Sequence, residues 1–401
     1  MYRADATSPR PPDATRQTMG WRPDKQLPER GFQGEGILAV VAPDAPARAW
    51  FAGTTEADVP SIRLEALRDR LVVAADGPVG EVTGATLSEA LATVGARLGH
   101  GEVPSVPPGW SSWSYYFREV TEADVAENVA EAERLGLPIA IVQVDDGWQA
   151  EIGDWLDVSV RFGSLERTAA RILASDRQPG IWTAPFLVGE RSRLAAEHPD
   201  WLVGAADAGT NWAQRLGVLD VTHPGAAAHL EHVYRWLERL DFRFHKLDFL
   251  YAGALPGRRR EDCSGLDAYR EGLRIIREAV APATLLGCGA TLLPSVGHVD
   301  AMRVGPDVLG VPGDGPEHGA ASGIGSALAT TTARAWMHAR LWASDPDCVV
   351  ARAEIADRDE WAVHVESYGG LAFSGDRLST LDELGLELTR RVLRPSTTEP
   401  S

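Results

Sequence analysis

The sequence predicts an α/β fold, a (β/α)8 TIM barrel preceded by a reduced N-terminal β domain. Three observations lead there. From Trp110 onward strand-like and helix-like segments alternate, the strand-like segments number eight, and the ionisable residues of those segments come late in each. Alternation of this kind marks βα units on a parallel sheet, and eight units favour closure over an open doubly wound sheet. At 401 residues the chain has room for such a barrel and a smaller appendage, since the barrel alone takes roughly 250 residues.

Taken in order, residues 1–30 are rich in Pro, Arg, Asp and Thr without periodicity, which predicts a disordered arm. Between Gly36 and Gly77 the β-prone runs ILAVVA, RAWFAG and RLVVAA are separated by Pro, Gly and Asp, as in a small antiparallel sheet. The stretch TLSEALATVGARLG, from Thr86, has apolar residues at helical spacing and gives way to EVPSVPPG, so a helix and then a boundary are expected. The expected division is therefore an arm (1–30), a β-rich domain with its connecting helix (31–103) and the barrel (104–401). The barrel strands are GWSSWSYYF, IAIVQVDD, GIWTAPFL, RFHKLDFL, TLLGCG, AMRVGPD, ARLWASDPD and GGLAFSGD. Helical stretches such as EADVAENVAEAERLG and GLDAYREGLRIIREAV carry apolar stripes suited to the barrel's outside. LGVLDVTHP is a ninth strand-like piece, assigned to the long loop after the third strand.

Composition narrows the partners. A formal charge of −18 argues against nucleic acid, whose backbone is held by clustered Lys and Arg. No apolar run approaches the roughly 20 residues that span a bilayer, and no apolar core follows Arg3 and Arg10, so neither a membrane segment nor a secretory leader is expected and a cytoplasmic location is. Cys263, Cys288 and Cys348 are widely spaced and form no Cys/His cluster, so no disulfide framework, metal or cofactor is expected. The partner should be small and neutral.

The late ionisable residues are Asp145 and Asp146, Lys246 and Asp248, Arg303 and Asp307, Asp345, and Asp376. In a parallel barrel all these ends share the C-terminal face, where barrel enzymes place their sites. Solvent at strand ends explains one or two such residues; it explains five strand ends less well. Several carboxylates with aromatic walls suit glycoside cleavage, in which one carboxylic acid protonates the leaving oxygen while another attacks or activates water. No GxxxxGK[ST], no GxGxxG after the first strand and no G-x-S-x-G elbow competes. Fold analogy alone would not establish that function.

At these strand ends the sequence closely resembles the α-galactosidases of glycoside hydrolase family 36, which share a clan with family 27. The similar segments run from PPGWSSWSYYF through QVDDGW, IGDWL, PGIWTAPF, EHPDWLV, HKLDFLYAGALPG, LGCGATLLPSVGHVD and MRVGPD to SDPDC and SGDRL, in the family's order. The resemblance implies a retaining α-galactosidase, or melibiase, acting on α-galactoside oligosaccharides, with Asp248 as nucleophile and Asp307 as acid/base. It implies that Asp145 and Asp146 hold galactose hydroxyls, that Lys246 and Arg303 add contacts, and that Trp182 and Trp113 form aromatic walls. Cys288 would lie near the 2-hydroxyl, and Asn211 and Trp212 on a loop approaching the site. Lys246 falls on the same side of its strand as Asp248, and the two catalytic carboxyls would stand about 5 Å apart if configuration is retained.

Departures touch the rim and the flanks. Relatives usually carry larger β domains at both ends, Ala290-Thr291 stand where Ser-Pro is frequent, Gly375 replaces a second acid, and the loop after Asp307 is Gly-rich. Galactosyl transfer, action on α-N-acetylgalactosamine, a non-catalytic sugar-binding barrel and assembly into a homo-oligomer stay open.

Overall fold

Among the residues that this computed structural model describes, 31–41, 44–56, 58–68, 70–309 and 322–394, six short strands precede the first helix. The expected arm and most of the Gly-rich loop after Asp307 lie outside the described residues. The strands are β1 (Gly31–Glu35), β2 (Ile37–Val40), β3 (Ala47–Ala52), β4 (Ser61–Ala66), β5 (Leu71–Ala75) and β6 (Val79–Gly84). They form two antiparallel sheets, ordered β1-β4-β5 and β2-β3-β6, where the sequence predicts one. Alternate residues of a strand face opposite sides, and that periodicity builds the layers here. Leu38 and Trp50 of one sheet meet Ile62 and Leu64 of the other, while Ala49 and Phe51 turn the opposite way toward α1 (Leu87–Leu98).

Helix α1 starts where Thr86 Oγ1 accepts from the Glu89 N–H and the Glu89 carboxylate accepts from the Ala85 N–H, satisfying N–H groups that have no partner inside the helix. Ala90, Leu91, Val94 and Leu98 bury one face. Gly95 packs so tightly on Arg340 and Trp336 that a Cβ there would lie 2.7 Å from Arg340 Cδ. The helix thus joins the small sheets to the barrel, at the place where the sequence pattern ends one region and begins the next.

The barrel strands are β7 (Gly109–Ser111), β8 (Ile141–Val144) and β9 (Gln178–Thr183), then, after an antiparallel excursion of β10 (Leu187–Gly189), β11 (Thr210–Asn211) and β12 (Gln214–Val218), the strands β13 (Phe244–Leu247), β14 (Thr284–Gly287), β15 (Ala301–Arg303), β16 (Ala343–Asp345) and β17 (Phe373–Ser374). The eight parallel strands follow the order β17-β7-β8-β9-β13-β14-β15-β16. Backbone bonds from Leu371 N–H to Ser344 O (2.9 Å) and from Val349 N–H to Phe373 O (2.7 Å) bring β16 against β17 and close the ring. Each of the eight predicted segments contains a strand, although GWSSWSYYF stays extended only over Gly109–Ser111 and turns helical from Trp113 to Tyr116. LGVLDVTHP contributes to β12 in the loop after the third barrel strand, as expected.

Ile141, Phe244, Leu286, Ala301, Ala343 and Phe373 pack together inside the ring. Outside it, helix α2 (Glu122–Arg134) opens on a capping box of Thr121 and Asp124, and α3 (Gly265–Val280) on one of Ser264 and Asp267. On α3, Leu266, Tyr269, Leu273, Ile276 and Val280 recur at steps of three and four and are buried, each contributing roughly 1.5–3 kcal/mol for its removal from water. This outer layer leaves the C-terminal strand ends free to form a site.

Candidate active site

Strand β8 stops at Val144, so Asp145 and Asp146 stand in the loop that follows rather than on opposite faces of a strand. Gly147 makes the turn at φ 122, and a Cβ there would lie 2.5 Å from the Arg118 carbonyl oxygen. Asp145 is buried and accepts from Lys246 Nζ at 2.8 Å, Gln143 Nε2 at 3.0 Å and the Asp146 N–H at 2.9 Å. Asp146 accepts from Gln149 Nε2 at 2.6 Å and Trp212 Nε1 at 2.8 Å, and burial pushes its pKa up to about 6. Burial works to lower Lys246, but the Asp145 carboxylate beside it, with Cys288 and Asp248 farther off, outweighs that and holds the ammonium well above its usual range.

Lys246 lies opposite Trp182 in the pairing of β13 with β9. Two residues on, Asp248 accepts from Trp182 Nε1 at 3.1 Å and from the Phe249 N–H at 2.6 Å. Phe249 adopts φ 50, a left-handed conformation that costs a bulky residue of the order of 1–3 kcal/mol. Across the mouth, Asp307 accepts from Trp113 Nε1 at 3.0 Å and from Arg303 NH2 at 2.8 Å. Cys288 is buried, and its thiol is pushed well up by burial first and then by Asp248, with Asp307 a smaller contributor. One thiol thus senses both carboxylates, and the two expected catalytic groups share the mouth.

Trp182 is only 1% exposed, so it presents its indole N–H to Asp248 rather than an open face; Trp113 and Trp212 are half-buried at the mouth. Trp212 and Ala213 form the two-residue tip between β11 and β12 with φ 50 and 54. Both central residues of a type I′ hairpin need this conformation, which Asn-Gly adopts most cheaply. Here the turn is strained and delivers an indole to Asp146, while Asn211 Oδ1 accepts from the Trp212 N–H at 2.7 Å. The residues expected from the sequence fall into three bonded groups: Asp145, Asp146, Lys246, Asn211 and Trp212 with Gln143 and Gln149; Asp248 with Trp182; and Asp307, Arg303 and Trp113 with Asp347. Cys288 interacts with the carboxylates electrostatically. Asp347, in SDPD, is 2% exposed, sits at φ 107 and accepts from Arg303 NH2 at 2.5 Å. Its proximity to Asp345 in sequence was the available signal, yet nothing in the pattern separates the two.

Two of the strand-end carboxylates have other surroundings. Asp345 accepts from the Asp347 N–H at 2.9 Å and lies near Arg303, with burial raising its pKa. Asp376 accepts from Arg352 NH1 at 2.6 Å and from the Ala351 N–H at 2.5 Å, tying together the segments that follow β16 and β17. No group of three or more His, Cys, Asp or Glu side chains suited to a metal ion occurs among the described residues, and no described helix is long and apolar enough to cross a membrane.

Residues 96–250 match the melibiase family model. Over that stretch the chain is similar to the melibiases. That match takes in Asp145, Asp146, Trp182, Lys246 and Asp248 and stops before Arg303 and Asp307. Alpha-galactosidase 2 of Pediococcus pentosaceus is 27% identical over 136 residues, 32% of this chain and 18% of that protein. The bifunctional alpha-galactosidase/sucrose kinase of Mediterraneibacter gnavus is 29% identical over 101 residues, 23% of this chain and 11% of that protein. The matched segments thus span less than a fifth of either relative. Among solved structures, the α-galactosidase of Thermus thermophilus in complex with p-nitrophenyl α-D-galactopyranoside is similar with a TM-score of 0.80 at 28% identity, over 96% of this chain and 81% of that one. The family 36 α-galactosidase AgaA of Geobacillus stearothermophilus shares the fold, with a TM-score of 0.64 at 15% identity over 91% of this chain and 57% of its own. The structural similarity therefore extends through the second half of the barrel, where Arg303 and Asp307 stand.

Proposed function

We propose that this chain is a retaining α-galactosidase that releases terminal α-linked galactose from oligosaccharides or glycosides by double displacement. The observation behind the reading is the pairing of Asp248 and Asp307 at one barrel mouth, each held by a tryptophan N–H and by a second donor. A carboxylate held at both oxygens in this way has one orientation, and such fixing lowers the barrier by removing motions that attack would otherwise have to freeze. Asp248 attacks the anomeric carbon while Asp307 gives its proton to the departing glycosidic oxygen; Asp307 then takes a proton from the water that cleaves the galactosyl–Asp248 ester.

Asp146 and the Asp145–Lys246 pair form the polar floor on which the galactose hydroxyls rest, and the buried Cys288 thiol interacts with Asp248, Lys246 and Asp307. The structural neighbour from Thermus thermophilus is seen in complex with stachyose and with p-nitrophenyl α-D-galactopyranoside, and neutral sugars of that class suit a carboxylate-rich, aromatic-rimmed pocket here. Transfer to a second sugar would use the same covalent intermediate with a different acceptor.

The test is release of p-nitrophenol from α-galactoside, α-N-acetylgalactosaminide and α-glucoside side by side, with the first-formed sugar anomer read by NMR. Turnover of the galactoside giving α-galactose first is the expected result. β-Galactose as first product would replace double displacement by inversion, and no turnover of any substrate would leave a sugar-binding barrel.

A further inference from the structure

Arg303 does not serve Asp307 alone. Its NH2 nitrogen lies 2.8 Å from Asp307 Oδ1 and 2.5 Å from Asp347 Oδ2, and the guanidinium is almost entirely buried. Burial works against its charge, and Asp347, ahead of Asp307 and Asp345, more than offsets that. The same Asp347 Oδ2 accepts from the Val308 N–H at 2.7 Å, and Asp347 Oδ1 from the Cys348 N–H at 2.7 Å. One carboxylate, delivered from beyond the end of β16, therefore grips the segment 303–308 on both sides of Asp307: at the side chain four residues before it and at the amide one residue after it. Asp347 is held there in a backbone conformation unusual for any residue but glycine. Such conformations persist where the surrounding structure over-determines them, and they cluster at functional sites.

We propose that Asp347 is the positioning residue of the acid/base carboxylate: it anchors Arg303 and the Val308 amide, and so aims Asp307 at the glycosidic oxygen. Its action on Asp307 runs through Arg303 and the backbone. The inference rests on the reading of Asp307 as acid/base, and it makes a distinction that a packing role would not. Misplacing a proton donor harms substrates in proportion to how much their leaving groups need the proton. Loss of general packing lowers activity on all substrates alike.

The experiment compares kcat/KM of the full chain, wild type and Asp347→Asn, on p-nitrophenyl α-galactoside, whose leaving group departs without help, and on melibiose, whose alkoxide does not. Asn keeps one acceptor oxygen, enough for the Val308 or the Cys348 amide but not both, and removes the charge that holds Arg303. The expected result is a loss on melibiose at least about tenfold larger than the loss on the aryl galactoside, because positioned acids contribute about 10²–10⁴-fold and a misaimed one forfeits part of that. Asp347→Glu, which restores the charge, should move the ratio of the two losses back toward wild type, and it decides the matter if the Asn variant does not fold. Equal losses on both substrates, or an Asp347→Glu ratio no better than that of Asn, would overturn the proposal. A wild-type protein inactive on both sugars would instead overturn the α-galactosidase reading, so the two failures are distinct.

Discussion

Asp146 and Asp376 end neighbouring regions of the same barrel face, and both are buried carboxylates, yet their surroundings differ in kind. Asp376 is matched to a guanidinium and a backbone N–H, and its partner Arg352 also donates to the Ser114 carbonyl and lies over the Tyr115 ring. Those bonds connect chain segments to one another. Asp146 receives only neutral donors, Gln149 and Trp212, and one of those comes from a strained hairpin tip that reaches across the mouth. A buried charge left without an ion-pair partner is costly, and the chain tolerates that cost at the mouth of the barrel. Position at a strand end is thus a weak guide to role; the identity of the partners is a better one.

The largest expected effect tests the pair at the centre of this contrast. Asp248→Ala should lose more than about 10³-fold in turnover on every α-galactoside, because no covalent intermediate can form without it. Azide added to that variant should yield the β-galactosyl azide, entering from the face the carboxylate vacated. Asp307→Ala should keep much of its rate of galactosyl–enzyme formation from an aryl galactoside while losing melibiose turnover, and azide should give the α product. Measured product configurations the other way round would exchange the two roles.

A second, smaller effect separates function from stability. Asp146→Asn should lower galactoside turnover about 10²-fold or more without lowering the melting temperature. The native pKa of Asp146 is about 6, above the roughly 3.9 of an unfolded chain. Between those values the native state holds a proton that the unfolded chain has lost, so stability from this group is present below about pH 4 and falls away as pH rises through 6. The Asn variant cannot titrate, and its melting temperature should vary less between pH 4 and 6 and be equal to or above wild type at pH 7. A clear fall at pH 7 would make Asp146 a structural residue like Asp376.

The smallest effect on catalysis is expected from Asp376→Asn. It should cost about 1–3 kcal/mol in stability by leaving Arg352 short of its charge partner, while kcat/KM of the folded protein stays within about threefold of wild type. Thermal unfolding alongside active-site-normalised kinetics decides it, and a loss of turnover comparable to that of Asp146→Asn would erase the contrast between the two carboxylates.

The sequence by itself determined the eight barrel strands, the connecting helix after Thr86 and the charged strand ends gathered at the mouth, while Trp113, Trp182, Cys288, Asn211 and Trp212 were expected only through the family resemblance. It could do so because apolar runs of strand length, helical periodicity and late polar residues are all written locally, and a parallel barrel sends every strand end to one face regardless of separation along the chain. Strands β1, β4 and β6 were not read from the sequence: GFQGE and VGEVTG are short, polar and Gly-containing, SIRLEA is a short alternation that carries Arg63 and Glu65, and all three become strands through partners brought alongside them. The tertiary structure alone decided which polar group bonds to which. Trp182 serves Asp248 through its indole N–H, Trp212 reaches Asp146 only by way of a strained turn, and Asp347 rather than Asp345 grips Arg303. Those pairings depend on side chains from distant segments meeting within about 3 Å, the range in which hydrogen bonds form, and a distance of that kind has no signature in the linear order of residues.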